Sequence, residues 1–176
     1  MLYLLIIFAI ILTIGLIFSV VFCFYRILAS IKGAPYAGSS LDIIGKMIDI
    51  SGITIGNKVV DLGSGDGRIL IELRKRYSNI KSVGYEIDPF LAWYAKYKIR
   101  KLGYEKFIKI ENENYWHKDL SKFDVIFLFL IPYQMSRMER KLRAEVKKGA
   151  KVISYGYQFK KWKFQEKFEN IYLYQK

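Results

Sequence analysis

Val59-Val60-Asp61-Leu62-Gly63-Ser64-Gly65-Asp66-Gly67-Arg68 decides the fold of this chain. It reads as a short apolar strand that runs into a turn of alternating glycines and then a helix, Ile69 to Arg76. Glycines at 63, 65 and 67 let the backbone bend sharply and come close to a ligand where a Cβ would clash. The helix that follows is expected to aim its free N–H groups at that ligand. Asp61 closes the strand and Asp66 sits inside the loop, an odd choice beside a pyrophosphate. Two carboxylates here suit a ligand with a positive end and hydroxyls.

The spacing separates the candidate loops. A dinucleotide fingerprint, Gly-x-Gly-x-x-Gly, would need its third glycine at position 68, where Arg68 stands. A phosphate-binding P-loop would end in Gly-Lys-Ser/Thr, which is missing. Asp-x-Gly-x-Gly-x-Gly after a strand instead resembles motif I of the class I S-adenosylmethionine (SAM) methyltransferases. A second strand, Lys81 to Glu86, ends in an acid about 20 residues past the loop, where a Rossmann-like fold puts the carboxylate that grips ribose hydroxyls.

At 176 residues there is room for one domain and little else. The net charge of +13 is uneven, because Arg26 and Lys32 are the only charges from Met1 to Leu41. So basic a remainder attracts nucleic acid, anionic lipid or an acidic protein, and charge alone does not choose among them. A single cysteine, Cys23, and a single histidine, His117, leave no disulfide framework and no thiolate metal set.

Leu2 to Leu28 is an almost unbroken apolar run, longer than the roughly 20 residues that span a bilayer. A cleaved signal peptide would have a shorter apolar region with Lys or Arg ahead of it. No charge precedes this run, so an uncleaved transmembrane anchor over residues 1–30 is the preferred reading. The charges that follow it put the domain in the cytoplasm by the positive-inside rule, as a single-pass membrane protein. Residues 31–52 read as a linker and a helix capped by Ser39 or Ser40 and ended by Gly52, and 53–176 as the main domain.

Past Glu86, Pro89 opens a helix that Gly103 ends, with Trp93, Tyr94 and Tyr97 expected to pack inward. A strand near Phe107–Ile110 leads to a polar stretch in which Asn114 is the candidate for an adenine amine and Tyr115 a stacking neighbour. The alternative is an ordinary polar turn. Asp124 to Leu130 reads as a buried central strand, followed by Ile131-Pro132-Tyr133 at its carboxyl end, where ligands of open α/β sheets bind. Methyltransferases of planar amines often carry Asn/Asp-Pro-Pro-Tyr there. Leu130 and Ile131 remove the polar acceptor, which argues against an exocyclic base amine as substrate. A basic helix, Gln134 to Lys148, then a strand, Ala150 to Tyr155, and a hairpin near Phe164–Gln175 complete the sheet. Between them lies the aromatic and basic loop Gly156 to Trp162.

From about Pro35 to its C-terminus the chain resembles the small protein-lysine methyltransferases, which include an archaeal broad-specificity enzyme and the mitochondrial enzymes for the ATP-synthase c-ring protein and the adenine nucleotide translocase. The resemblance rests on Pro35-Tyr36, Asp61 to Arg68, Gly84-Tyr85-Glu86 with Asp88-Pro89, and Phe127 to Leu130. It continues through Gly149 to Ser154, Gly156 to Trp162 and Tyr172-Leu173-Tyr174. It departs where Ala37-Gly38 follows Tyr36, and where Asn114 replaces an acid.

The resemblance implies a Rossmann-like α/β fold with a seven-stranded sheet and a C-terminal antiparallel hairpin. It implies SAM bound by Tyr36, Asp61, Gly63, Ser64, Gly65, Asp66, Gly67, Glu86, Ile87, Asn114 and Tyr115. A substrate mouth of Phe129, Leu130, Pro132, Tyr133 and Trp162 would receive a lysine of a protein at or near the membrane. No catalytic base is assigned. Two other readings stay open: an RNA methyltransferase using the basic surface, and a non-catalytic SAM-fold module that binds a membrane partner.

Overall fold

The structure is a computed structural model that describes residues 2–32 and 40–176. It divides into two compact units, residues 1–35 and 36–176. In the first, helix α1 spans Leu2–Lys32. Its stretch Leu2–Phe24 has a mean hydropathy of 3.1 and is exposed throughout, long and apolar enough to cross a membrane.

The second unit alternates helices and strands: α2 (Leu41–Ser51), β1 (Val59–Leu62), α3 (Arg68–Arg76), β2 (Ser82–Tyr85) and α4 (Pro89–Lys101). Then come β3 (Ile108–Glu111), β4 (Val125–Leu128), α5 (Pro132–Glu145), β5 (Lys151–Tyr155), β6 (Glu166–Phe168) and β7 (Ile171–Gln175). The strands form one seven-stranded sheet in the order β3-β2-β1-β4-β5-β7-β6. β1 to β5 are parallel, with Leu62 level with Tyr85 on one side and Leu128 on the other. β7 runs antiparallel between β5 and β6 as the C-terminal hairpin. The expected α/β sheet is the observed one.

Both sheet faces are covered, which explains why β1 and β4 are buried at every position. One face meets Met135, Met138, Leu142 and Val146 of the α5 segment. The other meets Ile44, Met47 and Ile48 of α2 with Ile69 and Leu73 of α3. Near the β3 edge, Ala92, Ala95 and Ile99 of α4 pack with Leu70, Ile71, Ile108 and Ile110. All three clusters lie within residues 43–174. Unit 36–176 therefore carries a complete sheet and its own core, which is what an autonomous domain requires.

Local signals set several boundaries as expected. Ser40 caps α2 by accepting from the Ile43 N–H, and Gly52 ends it at φ 53°. Pro89 opens α4 as expected, and Asp88, to which the sequence had given no cap, accepts from the Phe90 and Leu91 N–H groups. Other boundaries moved. The central strand stops at Leu128 instead of Leu130, and α5 starts at Pro132, two residues early, because proline suits the first helical turn. α5 ends at Glu145, not Lys148. The expectation for Trp93, Tyr94 and Tyr97 is overturned: all three are exposed, because α4 packs through the small Ala92 and Ala95 and through Ile99 on its opposite face.

Candidate active site

The order of the strands reverses between β1 and β4, and the carboxyl ends of these neighbours open the crevice where ligands of open α/β sheets sit. Asp61, Glu86 and the glycine loop converge there. Gly63, Gly65 and Gly67 have φ of 83°, 54° and 76°, backbone that only glycine adopts without strain.

The loop spends its donors inside the protein. Gly63 and Ser64 donate their N–H groups to the Tyr85 carbonyl at 2.9 and 3.0 Å, and Gly67 donates to the Ser64 carbonyl at 2.9 Å. Gly65 donates to Glu86 Oε2 at 2.7 Å. The first helical N–H, that of Arg68, is turned toward Asp66 Oδ1 at 3.3 Å, so it does not join the free N–H array expected from the sequence. Ser64 also lays its side chain on Gly84: a Cβ at 84 would stand 2.5 Å from Ser64 Oγ and 2.7 Å from its Cβ. Ser64 thus seats the loop on β2.

The loop offers acceptors in place of donors. Glu86 Oε1 accepts from the Asp88 N–H at 2.8 Å and Oε2 from the Gly65 N–H at 2.7 Å, and a carboxylate has acceptor capacity beyond these bonds. Burial pushes the Glu86 pKa up, and the backbone N–H groups of Asp88, Gly65 and Ile87 act against that rise. Asp61 is only 3% exposed. Burial first, then the charges of Glu86 and Asp66, push its pKa up to about 8. Among the described residues no lysine or arginine pairs with either carboxylate.

Asp66 behaves differently. It accepts from Arg68 Nε at 2.9 Å and from Lys98 Nζ at 2.9 Å. Burial alone would raise its pKa, but these two cations hold it below the usual carboxylate value. Asp66 therefore ties the loop to α4 with its charge already balanced. Asp61 and Glu86 are the two carboxylates left for a ligand.

The adenine-side candidates follow β3. Asn114 Oδ1 accepts from the Trp116 N–H at 3.0 Å and so caps a short 3-10 turn at Tyr115–His117. Tyr115 is buried, and its hydroxyl donates to Gln134 Oε1 at 3.2 Å, which links this turn to α5. The sequence reasoning overlooked Asn112, whose Nδ2 donates to the carbonyls of Glu86 at 2.8 Å and Ile87 at 3.2 Å. Its polar character at the end of a strand was the available signal.

At the end of β4, Phe129 leaves the sheet half-buried and its ring meets that of Tyr155 at 4.8 Å. Tyr133 is exposed at the start of α5, next to Pro132. Leu130, expected in the substrate mouth, is 1% exposed and belongs to the main core. Trp162 stacks on Phe159 at 5.9 Å and lies 5.5 Å from Tyr174. Loop 156–162 is pinned from beneath by a residue the sequence reasoning missed. Buried Glu139 accepts the N–H groups of Lys160 at 3.1 Å and Lys161 at 3.0 Å, while Tyr174 accepts that of Phe159 at 2.9 Å. Tyr36 lies outside the described residues.

Comparison with known proteins fits this geometry. A family model described as the ANTKMT methyltransferase domain matches residues 61–166. The chain is 35% identical over 104 residues to the ATP synthase c-subunit lysine N-methyltransferase of Mus musculus, covering 59% of this chain and 41% of that protein. It is 30% identical over 132 residues to a protein-lysine N-methyltransferase of Saccharolobus islandicus, covering 75% of this chain and 82% of that one. It spans less than half the length of the vertebrate ATP synthase lysine N-methyltransferases it matches. An RNA methyltransferase from Salinibacter ruber, solved with S-adenosyl-L-homocysteine, superimposes with a TM-score of 0.73 at 24% identity. That match covers 78% of this chain and 91% of the other, and at this identity it speaks to the fold alone.

Proposed function

The chain belongs to the ANTKMT methyltransferase domain family, and on that premise we propose that it transfers a methyl group from SAM to the side-chain amine of a protein lysine. One observation carries the cofactor half of this reading. The glycine loop consumes the N–H groups of Gly63, Ser64, Gly65 and Gly67 and leaves Asp61 and Glu86 as buried acceptors without a basic partner among the described residues. Such a site repels a phosphate. It suits an ammonium group and vicinal hydroxyls, both of which SAM carries.

When bound, SAM supplies a methyl group already activated by its sulfonium charge. The residues of this chain have the tasks of holding and excluding. The remaining acceptor capacity of Glu86 would take the ribose hydroxyls, and Asp61 would face the ammonium end. Gly63, Gly65 and Gly67 let the backbone approach without a Cβ in the way. Asn114 and Tyr115 stand on the loop that would border the adenine, and Ile87 beside the ribose.

On the substrate side, a free lysine is protonated, with a pKa of about 10.4, and attacks only as the neutral amine. Phe129, Pro132 and Tyr133 at the end of β4 would form an apolar mouth, and desolvation there favours the neutral form. Catalysis then rests on aligning the amine with the methyl group, a task of positioning. Lysine as the acceptor is supported by the names of the mouse and archaeal relatives. This chain also lacks a polar acceptor at Leu130-Ile131, which disfavours a base amine.

The segment Leu2–Phe24 supports a single-pass anchor, with the domain on the cytoplasmic side and a substrate at or near the bilayer. To test the assignment, full-length protein is incubated with methyl-labelled SAM and native membranes, with and without nuclease. Label in a protein band, mapped to lysine and lost with Glu86→Ala, is the expected result. Label that disappears with nuclease would move the substrate to RNA. SAM binding without transfer to any fraction would leave a binding module.

A further inference from the structure

α4 presents a second feature, away from the carboxylates. Its buried face is Ala92, Ala95 and Ile99. On the opposite side, Trp93 is 60% and Tyr97 52% exposed, and their rings stack at 6.2 Å with 16° between planes. The Phe90 ring meets Trp93 at 5.9 Å, which extends the ladder over two turns. In the helical repeat the same face continues into Arg100 and Lys101, both exposed. No acid occurs anywhere on α4.

Large aromatic rings are more often buried than set in a row on a surface. Small alanines face the core instead, which leaves the rings on the surface in a row. Trp and Tyr, with an apolar body and a polar edge, are the side chains that settle at the headgroup level of a bilayer. Lys and Arg beside them add attraction to anionic lipid. An acidic peptide would meet the charges, but it gives three exposed rings no apolar layer to enter.

We propose that the Phe90–Trp93–Tyr97 face of α4, with Arg100 and Lys101, is an interfacial contact for an anionic lipid surface. The inference rests on the reading of α1 as an anchor for its biological setting, because an anchored domain meets the bilayer at high effective concentration and needs only a weak second contact. The consequence is orientation. Lys98 of α4 holds Asp66 of the glycine loop, so the helix that lies on lipid is fastened to the cofactor site.

The test uses the domain 36–176, which carries its own core, so that α1 does not mask the weaker contact. Its partition onto phosphatidylcholine vesicles is measured by co-sedimentation, with and without about 30% phosphatidylserine. SAM affinity and the unfolding midpoint are recorded alongside. The domain is expected to bind the anionic vesicles at least about tenfold better than the neutral ones, and to be released in about 0.5 M salt. Trp93→Ala/Tyr97→Ala should lose at least about tenfold of that binding with SAM affinity and unfolding midpoint unchanged.

Equal binding of the double variant, or no preference for anionic vesicles, would overturn the proposal. So would self-association of the lipid-free domain that the double variant abolishes, since the face would then serve a second copy. Vesicle binding that behaves as expected in a domain with no SAM affinity would sink the methyltransferase reading and leave this one standing.

Discussion

Glu86 Oε2 accepts the Gly65 N–H at 2.7 Å, so the acid at the end of β2 holds the middle glycine of the loop that ends β1. One carboxylate thereby shapes the loop and remains able to receive a ligand. Glu86→Ala removes both roles. We expect SAM affinity to fall by at least about tenfold, since hydrogen bonds to a charged group are worth about 1.5–3 kcal/mol and tenfold is about 1.4. Isothermal titration checks it. Unchanged affinity would show that the ribose hydroxyls lie elsewhere.

Asp61 makes the ligand-free domain sensitive to alkali. Its folded pKa is raised to about 8, above the value of about 3.9 in an unfolded chain. Between those values the unfolded state binds fewer protons than the folded one, so this group's contribution to stability falls as pH rises from about 4 to 8. Denaturant titrations of unit 36–176 should show Asp61→Asn gaining stability over wild type between pH 5 and pH 8. Asp66, whose pKa is lowered, acts with the opposite sign, so the comparison with the variant isolates Asp61.

The same carboxylate predicts a proton balance. An ammonium group beside Asp61 favours its ionised form, so SAM binding near pH 7 should release a proton. Titration calorimetry in buffers of different ionisation enthalpy measures this directly. Asp61→Asn should remove the release.

Gly84 is confined by packing, not by backbone angle. An added Cβ would stand 2.5 Å from Ser64 Oγ and 2.8 Å from Ile110 Cδ1. Gly84→Ala should therefore cost about 1–3 kcal/mol and loosen SAM binding together, because relief requires the loop to lift from β2. Thermal unfolding and titration calorimetry would reveal a change in one without the other, which would contradict this coupling.

Glu139 governs the loop after β5. Glu139→Ala leaves the Lys160 and Lys161 N–H groups without their acceptor and should lower stability by about 1–3 kcal/mol. Hydrogen exchange at residues 157–162 should rise well above that of β5. If exchange there stays at the wild-type level, Glu139 does not pin the loop.

The sheet was legible because its signals are local and repeated. Apolar runs at β1 and β4, the glycine spacing at 63, 65 and 67, the cap at Ser40, the proline that opens α4, and an acid ending β2 each follow from chain geometry within a few residues. Direction of side chains was not legible where two faces of a helix compete. Trp93 and Tyr97 look like core by residue type, yet α4 turns Ala92, Ala95 and Ile99 toward Leu70 and Ile110 and leaves the rings outside. Long-range partners were equally hidden. Glu139 meets Lys160 across 21 residues, and Lys98 meets Asp66 across 32. By itself, then, the sequence determined the parallel sheet, the bend of the glycine loop and the two acids beside it. Only the tertiary structure decided that Asp66 is paired with two cations while Asp61 and Glu86 have none among the described residues, because charge compensation depends on which helices meet, and no local pattern encodes that.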